Sequence, residues 1–175
     1  MSPCLRSLAA LALAAAAIGA CSPVFNWREV SIADEGLVAL LPCKADRATR
    51  ALPLGAESVT IDMTGCEAGG ATFAVAHASA ADAAQAESWM RAWRAATRAQ
   101  LAGAAVAETP SALPRAAASP APVRLDTQGD AGAPAHVLWF AQQRAGKMAL
   151  YQATVLGKPA SPEALASFFE GLRLP

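Results

Sequence analysis

An apolar run from Leu8 to Ile18, closed by Gly19-Ala20-Cys21, limits what this chain can fold into more than any other feature, because it decides which residues take part. The stretch reads in three parts: a short basic start with Arg6, the apolar core, and a small-residue cleavage site. A membrane-spanning helix needs about 20 consecutive apolar residues, and this run stops earlier, in the turn-prone Cys21-Ser22-Pro23. Residues 1–20 therefore read as a removed leader. The 155 residues that remain suit one domain with a real core. With Arg6 gone, Lys and Arg fall from 14 to 13 against 14 Asp and Glu, a formal charge of −1. That balance leaves no basic footprint for nucleic acid or anionic lipid. Much of the 54% hydrophobic content is alanine, and no later run approaches spanning length.

Ile18-Gly19-Ala20-Cys21 resembles the lipobox of bacterial lipoproteins. The resemblance implies that the Cys21 thiol takes a diacylglycerol, that the leader is cut away and that the new amine is acylated. It implies a place in the cell envelope, facing the periplasm, and Ser22 in place of aspartate implies outer-membrane sorting in a Gram-negative cell. Acyl chains contribute roughly 0.8 kcal/mol per buried methylene, and several hold where one would exchange. The competing reading is an ordinary secretory signal cut near Ala20, with Cys21 a chance neighbour. On the lipobox reading, residues 21–26 form a lipidated tether that keeps the domain, residues 27–175, within roughly 20 Å of the bilayer.

Cys4 then leaves with the leader and Cys21 carries lipid, so Cys43 and Cys66 remain as one pair in an oxidising compartment. Parity favours a disulfide, worth roughly 3 kcal/mol in the chain-entropy model. The rival is a redox-active or metal-binding pair, but the chain has no CxxC and His77 is the only imidazole nearby.

Trp27 to Ile32 and Leu37 to Leu41 read as strands around the turn Ala33-Asp34-Glu35-Gly36, with Pro42-Cys43-Lys44 ending the second. Ser58 to Met63 and Ala71 to Ala78 read as a hairpin whose turn region carries Cys66. Ser79 with Asp82 resembles a capping box, opening a helix that runs to about Gly103. Along it Ala86, Met90, Trp93, Thr97 and Leu101 recur at helical spacing, with Trp89 on the adjoining edge. That stripe reads as core packed on the sheet, with ligand stacking as the alternative. Residues at about 104–122 carry Pro110, Pro114, Pro120 and Pro122 and read as a mobile, poorly specified loop. Val123 to Thr127 suits a short strand before a turn around Gly129. Ala135 to Gln143 and Lys147 to Gly157 form the clearest hairpin, and the first arm is apolar on both faces, as a central strand should be. Ser161-Pro162-Glu163 opens a last helix with a cap, an N-terminal proline and an acid. Gly171 ends it, and Leu165, Phe168, Phe169 and Leu172 supply its buried face.

Leu41-Pro42-Cys43-Lys44, the central helix, Leu150 to Val155 and Phe168 to Leu174 together resemble small bacterial proteins of the PsbP/Mog1-like fold, over most of residues 27–174. Cys43 stands where many such proteins carry glycine. The resemblance implies an α+β class, an antiparallel sheet with a central helix and a C-terminal helix packed on it. It implies binding and assembly roles instead of one shared chemistry, and it carries over no catalytic residues.

The residues themselves offer little chemistry. GxSxG, HExxH and GxGxxG patterns do not occur, and Gly157-Lys158 lacks the upstream glycine of a phosphate loop. His77 and His136, with Asp62 or Glu67, make the one conceivable metal set, against a structural role for each imidazole. Asp34 and Glu35 suit a turn better than paired-carboxylate catalysis. No catalytic, cofactor or metal residue is assigned, and no nucleic-acid partner is expected. Two functions follow. One is a membrane-anchored domain that binds an envelope protein or supports an assembly. The other is a small-ligand or enzymatic periplasmic domain with a helix–sheet pocket near Trp89, Trp93 or His136. If Cys21 is acylated, Cys21→Ala should slow leader removal and shift the product from membranes to the soluble fraction, as read by fractionation and intact mass. Wild-type protein recovered wholly soluble, with an unmodified Cys21, contradicts the anchor.

Overall fold

The computed structural model describes residues 24–34, 36–101, 103–128 and 132–175. The leader, Cys21, Glu35 and the turn at Gly129 lie outside the described residues. Strands β1 (Arg28–Ile32) and β2 (Leu37–Leu41) pair as an antiparallel hairpin. The strands β3 (Asp46–Leu54), β4 (Glu57–Ala68), β5 (Ala71–Ala80), β6 (Ala105–Pro110), β7 (Val123–Gln128), β8 (Ala135–Arg144) and β9 (Lys147–Gly157) build a seven-stranded sheet. Its order is β3-β4-β5-β9-β8-β7-β6, antiparallel throughout. Helix α1 (Ala83–Gln100) joins β5 to β6, and α2 (Pro162–Glu170) follows β9. This is the α+β class read from the sequence.

Side chains alternate across a strand, so the central strands split their apolar residues between two cores. Phe73, Val75, Phe140, Tyr151 and Val155 face the β1–β2 hairpin and Phe168 of α2. Ala78, Val137, Trp139, Ala141 and Leu150 face Ala86, Trp89, Met90 and Trp93 of α1. Each large side chain withdrawn from water contributes about 1.5–3 kcal/mol. Several polar atoms caught between these layers find partners. Trp89 Nε1 donates to Glu57 Oε1 at 3.0 Å, while Trp139 Nε1 and Thr97 Oγ1 donate to Gln152 Oε1 at 2.9 and 3.1 Å. Arg94 and Arg98 both pair with Glu108, tying α1 to the edge strand β6. The tryptophan pair is core, as its spacing indicated.

Several elements differ from the sequence reading. The cap of α1 is Asp82, whose Oδ1 accepts from Gln85 N at 2.9 Å, while Gln85 Oε1 accepts from Ala81 N at 2.8 Å. The box therefore opens three residues later than Ser79, because β5 runs on to pair Ala80 with Met148. Strand β3 has no counterpart in that reading. It is a sheet edge, mostly exposed, and Asp46, Arg47, Arg50 and Pro53 erase any apolar alternation while blunting the edge against further pairing. Cys66 lies within β4 and not in the turn. Gly171 does end α2, as read, and does so with a right-handed backbone (φ −77°). A Cβ there would lie 2.4 Å from Leu40 Cβ, so glycine lets α2 settle against β2.

The stretch at 104–122 is the largest correction. Its first part is β6, paired with β7 from Ala105↔Gln128 to Pro110↔Val123. The rest, residues 111–122, is a fixed strap. Strand β7 pairs with β8 only as far as Trp139, and where it stops Ala117 N donates to Ala141 O at 2.7 Å. Leu113 and Ala116 pack on the first core, Ala117 on the second, and Pro120 is buried. Phe25 and Asn26, which the sequence reading gives to the tether, make contacts with the domain. Phe25 already packs on Phe73 and on the β4–β5 turn, where a Cβ on Gly69 would sit 2.6 Å from Phe25 Cζ. Asn26 N donates to Pro42 O at 2.7 Å.

Cys43 and Cys66 form a disulfide (S–S 2.06 Å) that joins the end of β2 to β4 and so pins the hairpin onto the sheet. Cys43→Ala should lower stability by about 2–5 kcal/mol in urea unfolding and leave Cys66 open to alkylation. Cys43→Ala/Cys66→Ala should then melt like the single variant. Two alkylatable thiols in protein isolated without reductant reverse the assignment.

Candidate functional site

The residues singled out in the sequence are dispersed by the fold. His77 is buried on β5 with its ring 5.2 Å from Tyr151, and His136 stands two strands away on β8. Asp62 Oδ1 accepts from Thr49 Oγ1 at 2.8 Å. Among the described residues, no group of three or more His, Cys, Asp or Glu is placed to hold a metal ion. Trp89 and Trp93 are 7% and 3% exposed and close the seam between α1 and the sheet, which leaves no open stack for a ligand there. Asp34 lies exposed in the β1–β2 turn.

The larger clefts open along the strap. One, about 620 Å³, runs between the strap and α2 and is lined by Leu113, Arg115, Arg124, Leu138, Phe169 and Arg173 among others. A second, about 540 Å³, lies between the strap and the tip of the β8–β9 hairpin, where Asp82, Ser119, Gln142 and Pro175 contribute. Arg115 lines both. Leucines and a phenylalanine floor the first cleft, and its rim carries three guanidinium groups against the single carboxylate of Glu170.

Each arginine is positioned differently. On β7, alternation sets Arg124 and Asp126 on one face, and Arg124 Nε donates to both carboxylate oxygens at 3.1 and 2.9 Å. The guanidinium then lies over the Phe169 ring, 4.3 Å from its centroid, a cation–π contact that fixes it at the cleft wall. His136 Nδ1 lies 2.6 Å from Asp126 Oδ1. Burial opposes the charge on Asp126, but hydrogen bonds and charges from Arg124 and His136 outweigh it and hold the carboxyl below its ordinary range. Arg173 Nη2 donates to Glu29 at 2.6 Å. Arg115 has a left-handed backbone (φ 66°), uncommon outside glycine, and Nη1 donates to Leu174 O at 3.2 Å. It pairs with no carboxylate among the described residues.

Sequence reasoning missed this site because the strap read as a loop. One feature stands out in the structure: Gln142, the first polar residue after the apolar run of β8, is only 5% exposed. The His136–Asp126 pair has the spacing of a general-base dyad, but among the described residues no serine, threonine or cysteine side chain hydrogen-bonds to it.

Fold and clefts together define a disulfide-braced α+β domain with a strap-lined, arginine-rimmed groove. The chain matches no protein-family model, no curated protein and no solved structure, so the groove is read on its own chemistry.

A carboxyl held below its unfolded value adds stability that is present above the ordinary carboxylate range, near pH 3.9, and is lost as pH falls through the folded value. Asp126→Asn should therefore cost on the order of 1 kcal/mol at pH 7, discounted for solvent screening, with the gap to wild type closing as pH drops below about 4. Urea unfolding at a series of pH values measures it. A gap that stays constant down to pH 3 contradicts the assigned pairing.

Proposed function

We propose that this chain is an envelope lipoprotein, anchored through Cys21, whose domain binds a protein partner or supports an assembly at the membrane surface. The observation that carries the reading is how the chain enters the domain. Only Ser22, Pro23 and Val24 separate Cys21 from Phe25, whose ring is seated on the β4–β5 turn. Four Cα steps reach roughly 14 Å, so an acylated Cys21 would hold that end of the sheet against the bilayer. The Cys43–Cys66 bridge supports an oxidising compartment, and Ser22 favours the outer membrane facing the periplasm. The PsbP/Mog1-like resemblance belongs to the same proposal, since an antiparallel sheet with packed helices is the architecture it implies. The alternative, an enzymatic or small-ligand domain with a pocket beneath α1, has no specific observation in its favour, because Trp89, Trp93 and Trp139 fill that seam.

Photocrosslinking in living cells should capture one specific envelope protein. A flexible Gly-Ser insert of about 20 residues after Pro23, adding roughly 25 Å of reach, should abolish the capture while leaving the melting temperature unchanged. Turnover or tight small-molecule binding by a soluble form lacking Cys21, with no partner captured, overturns the reading.

A further inference from the structure

Arg115 and Gln142 face the same cleft from opposite walls, and both are incompletely paired. Gln142 is on β8 where the strand's apolar run gives way to Gln143 and Arg144, and its Oε1 is buried and without a hydrogen-bond partner among the described residues. An acceptor in that state costs about 1–3 kcal/mol unless a donor reaches it. Arg115, on the strap opposite, holds an unfavourable backbone conformation and has only a neutral carbonyl as partner. A carboxamide offers one acceptor and two donors, the complement of a peptide group, and a guanidinium offers a forked pair of donors, the complement of a carboxylate. Arg115 also lines the leucine-floored groove beside α2, so the two clefts meet at its side chain.

We propose that this strap-lined groove binds an extended, acidic peptide segment of a partner protein, with Gln142 pairing to its main chain and Arg115 to a carboxylate side chain. The proposal rests on the reading of this chain as a membrane-anchored binding module and gives that module its binding surface. Location favours a protein over a lipid headgroup. Phe25 enters beside Gly69 at one end of β5, whereas the β8–β9 tip lies beyond Met148, the partner of Ala80 at the other end. Ten residues of strand put roughly 30 Å between them, so a groove near the tip opens away from a bilayer at the entry point. Apolar side chains of the segment would lie on Leu113, Leu138 and Phe169.

The full oxidised chain is titrated with acetylated, amidated heptapeptide pools, random except for a central Glu, Gln or Lys. Phosphatidylglycerol vesicles and inorganic phosphate are separate arms. The Glu pool should bind at least tenfold tighter than the Gln pool, and the Lys pool weakest. Arg115→Asn, which tolerates the left-handed backbone, should bring the Glu pool down to the Gln level, and Arg115→Lys should keep part of the preference. Gln142→Leu should weaken the Glu and Gln pools alike, about tenfold. Equal binding of the wild-type chain to Glu and Gln pools overturns the proposal, and that comparison does not depend on any variant folding. So do binding to vesicles or phosphate alone, a preference unchanged in a folded Arg115→Asn, and failure of every pool to bind. Pool failure with an envelope partner still captured at the membrane removes only this groove. Pool binding without membrane partition removes only the anchor.

Discussion

A sheet whose central strands are apolar on both faces cannot stand uncovered in water, and the rest of this fold follows from that. Along β9, Tyr151 and Val155 point one way and Met148 and Leu150 the other. One face takes α1, an amphipathic helix long enough to cross from the β3–β4 turn, where Trp89 meets Glu57, to β6, where Arg94 and Arg98 meet Glu108. The other takes two smaller pieces, the β1–β2 hairpin and α2. These hold each other through main-chain bonds between Val38 and Arg173, 2.9 Å in both directions, and through the close approach that Gly171 permits. The disulfide fastens this composite cover to β4.

The candidate site arises where that cover runs out. Strand β7 is shorter than β8, and the strap 111–122 finishes the edge without the regular ladder of a strand. A strap leaves seams on either side, and these are the two clefts. Arg115 lies between them, held by the carbonyl of Leu174 on the composite cover. The clefts therefore depend on α2 and the chain's last residues as much as on the strap. The chain enters at the Gly69 end of β5, and the cleft beside Gln142 opens toward the hairpin tip at the other end.

Apolar periodicity made much of the fold legible. The α1 stripe, the both-sided apolar arm of β8, the Ser161-Pro162 start of α2 and the spare cysteine pair each had a local physical signature and each lies where it put it, although the Ser161 hydroxyl bonds Glu163 and caps no backbone amide. The edges were not legible. Strands β3 and β6 are rich in alanine and charge and contain Pro53 and Pro110, because an edge strand needs little apolar alternation and gains from residues that discourage further pairing. The strap was hidden for a related reason. Beyond the local turn from Ala116 N to Leu113 O, it is held by the main-chain bonds Ala117 N to Ala141 O and Ser111 N to Pro122 O, by the burial of Pro120 and by side-chain bonds from Arg115 and Ser119, contacts that local propensity does not encode. The groove inherits that obscurity, since the burial of Gln142 at the polar end of β8 is visible only in the fold.

Native-state hydrogen exchange on the oxidised chain tests the central claim, a doubly covered sheet completed by an ordered strap. Amides of β5 and β9 should exchange only through global unfolding, and Ala117 N, bonded to Ala141 O, should be protected well above its neighbours in the strap. Exchange of Ala117 at the rate of an unstructured peptide, or β9 amides opening locally while α1 stays protected, contradicts the account.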